Sequence, residues 1–300
     1  MVNFKLVLAV LSFSGTLWAR DILFEGYYKI SSADQHIGFA ISRYEFDPKT
    51  KRFHSTQFTK IKNSGLDILE SLSAVSESDE SMTPVSYKYT SLVGNDSKTI
   101  DAKFKKGKKP TDPIKMTAIL EQKGKKPVTI RNDLLPRVFL GTFLYYRMLK
   151  SAQGLQTKSN YQYDAIAEED ATVEKGSALV VGEEKFKGFT ALRIDNTFKK
   201  SLFVSHVTDK GEPLSSVVKD ARLNMELVPQ KSEAVGEIGL PESAAITLFG
   251  SLPAGKKNVV AQYFENADKL KTSNGGKQEG FPQGQGVMIK GSATPPKEEP

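Results

Sequence analysis

Three histidines, His36, His54 and His206, are the side chains of this 300-residue sequence best suited to proton transfer near neutral pH. None stands in a His-Glu-x-x-His pattern or at another close metal-ligand spacing. There is no cysteine, which excludes thiolate metal sites and cysteine nucleophiles. No metal site and no cofactor are therefore expected. A Gly-x-Ser-x-Gly elbow is absent, and Gly250-Ser251 in Phe-Gly-Ser-Leu-Pro lacks its spacing. A serine meeting His54 or His206 in space stays open, because a triad is set by geometry rather than by sequence. Gly94-Asn95-Asp96-Ser97-Lys98-Thr99 lacks the second glycine of a phosphate loop and reads as a hairpin turn. Glu168-Glu169-Asp170 and Glu183-Glu184 are carboxylates of the kind that serve glycoside hydrolysis or calcium. Their spacing is not that of a calcium loop, and they read as solvated turn residues. No catalytic residue is assigned.

The most specific local feature is basic. Lys106-Gly107-Lys108-Lys109-Pro110 and Lys123-Gly124-Lys125-Lys126-Pro127 are the same pentapeptide, and Gly255-Lys256-Lys257 partly repeats it. The chain carries a formal charge of +7, and the stretch from Lys103 to Lys126 alone holds nine lysines against Asp112 and Glu121. The basic character is thus local. Lys106, Lys108, Lys109, Lys123, Lys125 and Lys126 are candidates for contact with an anionic envelope surface, or simply guard sheet margins. Phe104 is the one aromatic residue among them, so nucleic-acid binding by base stacking is not expected.

These groups must be positioned by elements, and the central stretch from Asp133 to Gly154 stands out. Asp133 can cap a helix, Pro136 suits a first turn, Lys150 suits the carboxyl end and Gly154 can close it. The apolar residues between them predict a helix over about 133–153, apolar nearly all round and hence buried on more than one side. Arg137, Arg147 and Lys150 interrupt it, so it is no membrane span. Phe139, Phe143, Tyr146 and Leu149 would line any ligand site beside it.

Everything around this stretch reads as strand. Ile22–Ile30, Ile37–Phe46, Arg52–Ile61, Leu66–Val75, Val85–Val93, Lys98–Phe104, Ile114–Leu120 and Val128–Ile130 alternate or are rich in branched and aromatic residues. Tyr161–Ala167, Val173–Val181, Lys185–Asn196, Ser201–Val207, Leu214–Val218 and Arg222–Leu227 resume the pattern. Short turns between them point to an antiparallel meander rather than βαβ units. The expected fold is mainly β, a curved antiparallel sheet or half-barrel over 20–240 wrapped round the central helix. Short helices are expected near the carboxyl end, within 241–271, and 272–300 reads as a disordered tail.

The amino terminus has Lys5, an apolar run from Leu6 to Phe13 and small residues up to Ala19. It reads as a signal peptide over 1–19, which predicts a periplasmic or secreted product with no transmembrane segment after cleavage. The lone tryptophan, Trp18, falls within it.

Ile37-Gly38-Phe39, then Thr83-Pro84-Val85-Ser86-Tyr87, then Val181-Gly182-Glu183-Glu184 with Gly188-Phe189, and finally Asp209-Lys210-Gly211-Glu212-Pro213-Leu214 follow in order. This ordering resembles bacterial periplasmic proteins grouped as domains of unknown function, with a fold similar to the LolA/LolB lipoprotein carriers. The resemblance covers roughly Phe24 to Leu227. It implies a curved sheet with an apolar inner face, and a lipid or lipoprotein acyl chain as the partner held there. It supplies no catalytic residue.

The leading functional expectation is a non-enzymatic exported accessory protein that binds an apolar or lipid-like ligand between sheet and helix. A structural or interaction module with a filled core comes second. An envelope hydrolase comes third, and it requires His54 or His206 beside a serine and a carboxylate in one cleft.

Overall fold

The computed structural model describes residues 20–262, except for 64. Eight strands run in sequence: β1 (Asp21–Ser32), β2 (Gln35–Asp47), β3 (Arg52–Asn63), β4 (Leu66–Glu77), β5 (Pro84–Val93), β6 (Asp96–Lys105), β7 (Ile114–Gln122) and β8 (Val128–Leu134). A two-residue strand β9 (Phe139–Leu140), a single 3-10 turn (Gly141–Phe143) and the helix α1 (Leu144–Lys150) follow. Then come β10 (Asn160–Ala167), β11 (Thr172–Phe186), β12 (Phe189–Phe198), β13 (Ser201–Val207), β14 (Pro213–Val218) and β15 (Leu223–Val228). The helices α2 (Lys231–Val235) and α3 (Glu242–Phe249) complete the described chain, with residues 259–262 helical at its end.

All fifteen strands belong to one sheet, ordered β8-β7-β6-β5-β4-β3-β2-β1-β15-β14-β13-β12-β11-β10-β9. The chain starts in the middle, meanders out to β8, crosses to β9 at the far edge and meanders back. Every pairing is antiparallel except β9 with β10. Several hairpins close on two residues with positive φ, such as Ala33-Asp34 (46° and 66°) and Lys199-Lys200 (50° and 66°). That geometry matches the right-handed twist of the flanking strands.

The crossing from β8 to β9 fixes the curvature. Four residues separate Leu134 from Phe139, and five Cα steps reach at most about 19 Å. The two edges of a fifteen-stranded sheet therefore lie side by side, which only a sheet curled almost into a barrel allows. The sheet does not close by hydrogen bonds. Instead β9 packs against β4, and Lys98 at the start of β6 reaches Asp170 beyond β10 at 3.3 Å.

Burial reads out the two sides. On β7 buried and exposed residues alternate, as they must where one face meets water. On β1 and β2 the runs Phe24–Tyr28 and Gly38–Tyr44 are buried without a break. Their inner face, with Phe24, Tyr28 and Tyr44, joins the interior core. Their outer face, with Tyr27, Phe39 and Ile41, is covered by Ala234, Val235, Ile238, Ala245 and Phe249 from α2, the turn after it and α3.

An ion pair holds that outer layer. Glu25 and Arg43 face each other across β1 and β2, 1 % and 7 % exposed, with Nε donating to Oε2 at 2.5 Å. Arg43 also donates to the Phe249 carbonyl at 2.8 Å and stacks over the Phe249 ring. Glu25 Oε1 accepts the amide hydrogen of Gly255 at 2.7 Å, and Tyr27 donates its hydroxyl to the Pro253 carbonyl at 2.7 Å. The segment after α3 is thus strapped to the sheet through charge-assisted bonds that leave neither ion unpaired.

The helix expected over 133–153 is corrected to the seven residues Leu144–Lys150. Asp133 lies in β8 opposite Lys115, and Phe139 and Leu140 pair with Ala165 and Ile166. An apolar run with no clear period can satisfy its backbone in a sheet ladder as well as in a helix. Here the sheet edges, which otherwise present unpaired amides and carbonyls, take it.

Replacing Arg43 by Met leaves the buried Glu25 carboxylate without its cation and should cost about 3–5 kcal/mol. Urea denaturation measures this directly. A loss below about 1 kcal/mol would show that the outer layer does not depend on the pair.

Candidate binding chamber

The interior of the curl is where β9, the 3-10 turn and α1 enter. Phe143 is fully buried and sits edge-on to Tyr44, with centroids 6.3 Å apart. Tyr146 packs against Tyr44 and Phe53 at 5.1 and 5.8 Å, and Lys150 lies over Phe53. Leu149 presses on Gly211, where a Cβ would lie only 2.6 Å from its Cδ1. These contacts place α1 across the end of the curl formed by the β2–β3 and β13–β14 turns.

Above α1 a chamber of about 340 Å³ remains open. Tyr28, Tyr44, Tyr163, Phe198, Phe203 and Met225 supply rings and an apolar side chain from six different strands. The central stretch contributes Gly141, Thr142, Leu144 and Tyr145. Phe139, Phe143, Tyr146 and Leu149, the residues predicted to line a site, instead pack into the surrounding wall. Phe139, for instance, lies against Tyr163 at 5.6 Å. A continuous helix would have aimed those four one way; the change from strand to 3-10 turn to α-helix shifts the phase and turns their neighbours inward.

Thr142 organises the polar side of the chamber. Its Oγ1 accepts from Gln57 Nε2 at 2.7 Å and shares a hydrogen bond with Ser55 Oγ at 2.9 Å. Its carbonyl accepts from the Tyr44 hydroxyl at 3.0 Å. Its amide donates to Glu168 Oε1 at 3.0 Å. Opposite, Tyr163 donates to Asn196 Oδ1 at 2.5 Å. Gly141 allows the approach: a Cβ there would lie 3.0 Å from the Ile166 carbonyl and 3.2 Å from Glu168 Oε2.

Glu168 follows β10 and is 7 % exposed. Among the described residues no lysine, arginine or histidine pairs with it. Burial raises its pKa from 4.5 to about 7; the Thr142 amide opposes the shift and the Glu169 charge adds to it. Burial likewise raises Tyr145 to about 12 and moves Tyr28 and Tyr44 upward, so these hydroxyls stay neutral. On its other side Glu168 borders a second cavity of about 400 Å³, shared with Gln57 and Thr142 and walled by Glu70, Leu72, Tyr89 and Glu169. The two cavities meet at Gln57, Thr59, Gly141, Thr142 and Glu168.

Sequence reasoning misses this constellation. Glu168 reads as a turn residue, and nothing local marks Thr142 or Gln57 for a site, because they meet only when β3, the turn after β9 and the end of β10 curl together.

The histidines fall elsewhere. His36 Nε2 bridges the Gly38 and Ala234 carbonyls at 2.9 Å each and ties α2 to β2. His54 is held neutral at ordinary pH, its pKa lowered to about 4 by burial and by Arg20. His206 does meet a serine and a carboxylate: Nδ1 lies 2.9 Å from Ser215 Oγ, and Nε2 lies 3.2 Å from Glu184 Oε2. Yet Ser215 is 3 % exposed and Phe186 stacks on the imidazole at 4.6 Å. Glu184 also takes Arg193 at 3.3 Å. The group is a brace across β11 to β14, with no open approach to the hydroxyl. Among the described residues no three His, Asp or Glu converge as metal ligands.

The two lysine pentapeptides occupy the β6–β7 and β7–β8 connections, at opposite ends of β7. Nine residues at about 3.4 Å separate them by about 30 Å. Lys106 pairs with Asp79 at 3.1 Å, and Lys123 donates to the Asn95 carbonyl at 2.8 Å. Lys106, Lys108 and Lys109 therefore form one cluster, and Lys123, Lys125 and Lys126 another.

No protein-family model and no curated protein matches the chain. Among solved structures it is similar to the crystal structure of a β-barrel-like protein of a domain of unknown function, DUF1849, from Brucella abortus. The TM-score is 0.48 at 11% identity, covering 70% of this chain and 97% of that one.

The Glu168 carboxyl gives a measurable pH signature. Between about pH 4.5 and 7 the folded chain keeps a proton that the unfolded chain releases, so stability falls by about 1.4 kcal/mol per unit. His54 acts in the opposite sense, gaining stability as pH rises from about 4 to 6.5. The comparison with Glu168→Gln isolates the carboxyl. The variant should match wild type near pH 4.5 and exceed it by about 3 kcal/mol near pH 8. Parallel urea-denaturation profiles for the two proteins would show that burial does not strain this carboxyl.

Proposed function

We propose that this protein is a non-enzymatic binding protein that holds a small, largely apolar ligand inside its curled sheet. The chamber beside Thr142 carries the reading. Its volume falls within the range of small-molecule sites, six aromatic residues line it, and Gln57, Thr142 and Glu168 converge on one side. The buried Ser215 and the stacked His206 argue against hydrolysis at that trio.

Export to the periplasm or beyond is part of the proposal. Its support is the Lys5 to Ala19 pattern, which lies outside the described residues. Among the described residues no helix is long and apolar enough to cross a membrane. An acyl chain from a lipid or lipoprotein is one ligand that such a chamber would take. The two lysine clusters would let either end of the curl approach an anionic envelope surface.

Native mass spectrometry of the full chain, followed by solvent extraction, tests the reading. A bound species at near-unit stoichiometry is expected. Ser216→Phe, which fills the chamber from β14, should remove that species while leaving the far-ultraviolet circular dichroism unchanged. A bare mass that persists after incubation with envelope lipids would point to an interaction module instead.

A further inference from the structure

We propose that the chamber selects organic cations: amines with an apolar body, whose ammonium group pairs with Glu168 and whose body lies among the tyrosine and phenylalanine rings. This inference rests on the chamber being a binding site and specifies what it takes.

The charge pattern carries it. Among the described residues of the chamber wall, Glu168 is the one charged side chain. It is more than nine-tenths buried, and no cation among the described residues pairs with it. One oxygen accepts from the Thr142 amide; the other faces Gly141, whose missing side chain leaves room beside it. A buried carboxylate without a counter-ion is costly, and a bound ammonium would relieve that cost. Tyr44, Tyr145 and Tyr163 line the same chamber, and an aromatic ring attracts a cation held over its face.

The second cavity beside Glu168 adds Glu70 and Glu169 to the same charge pattern. Its walls hold the carboxyls of Glu70, Glu168 and Glu169 and no lysine or arginine among the described residues. A cleft lined by one sign of charge concentrates ligands of the other sign. An acyl carboxylate would meet repulsion at both places, whereas an alkylamine stays protonated, as lysine does, over the working pH range.

The other titratable groups facing Glu168 do not compete for this role. Tyr28, Tyr44, Tyr145 and Tyr163 in the chamber are shifted upward by burial and remain neutral. In the second cavity Glu70 accepts from the Tyr89 hydroxyl at 2.6 Å, and Glu169 pairs with Lys199 at 2.7 Å. Lys199 and Lys98 are both engaged by Asp170.

The test is isothermal titration calorimetry on the full chain with octylamine, octanol and octanoate. At about pH 8 octylamine should bind at least about tenfold more tightly than octanol, with octanoate weakest. Glu168→Gln should lower octylamine affinity about tenfold and leave octanol unchanged. Should that variant fail to fold, the wild type alone suffices: octylamine affinity should fall as pH drops below about 7 and Glu168 takes up its proton, while octanol stays flat. Equal binding of octylamine and octanol, or pH-independent octylamine binding, would overturn the inference and leave the chamber as a neutral site. Failure of all three probes, with no native species retained, would overturn the chamber reading itself.

Discussion

The short crossing between β8 and β9 is the constraint on which the rest of the structure depends. A meander can continue as an open, twisted sheet for as long as its hairpins allow. Four residues between the outermost strands forbid that, because they bring both edges within one short reach. The curl, the enclosed interior and the entry of α1 into it all follow. So does the parallel pairing of β9 with β10, since the chain must re-enter the sheet at the opposite edge before it turns inward.

A curled sheet of this size encloses more space than its own inward side chains fill. Two devices deal with that space. Small residues such as Ala74, Ala102 and Ala118 let β4, β6 and β7 approach the interior cluster closely. The 3-10 turn and α1 fold back into the lumen and close one end. What remains is the chamber, whose polar side is arranged round Thr142 and whose single charge is Glu168. On the outside, α2 and α3 cover β1 to β3, and the pair Glu25 and Arg43 locks them down. The two carboxylates are a physical contrast: Glu25 is buried with a guanidinium and two amides, while Glu168 is buried with an amide and an open cavity.

Much of this fold was legible in the chain. The strand segments before and after the centre follow from alternation and turn chemistry, with Lys185–Asn196 divided by the hairpin at Lys187-Gly188. Residues such as Ile100, Ala102, Met116 and Ala118 announce their inward face by period two. The central stretch was misread because it is apolar on every side, so neither periodicity could claim it. Only the partners offered by β7 and β10 divide it into strand, link, turn and short helix.

Four features were readable before folding: the antiparallel class, the lack of any thiol, the scattering of the histidines along the chain and the confinement of positive charge to short segments. These are local properties, carried by residue type and near-neighbour spacing. Only the folded state set how far the sheet curls and where the chamber lies. Gln57, Thr142, Glu168 and Asn196 lie on four segments separated by dozens of residues, and their contacts are set by register and curvature rather than by spacing along the chain. It also decided that Glu168 is buried and uncompensated, because desolvation depends on what surrounds a carboxyl in space, which no window of sequence contains.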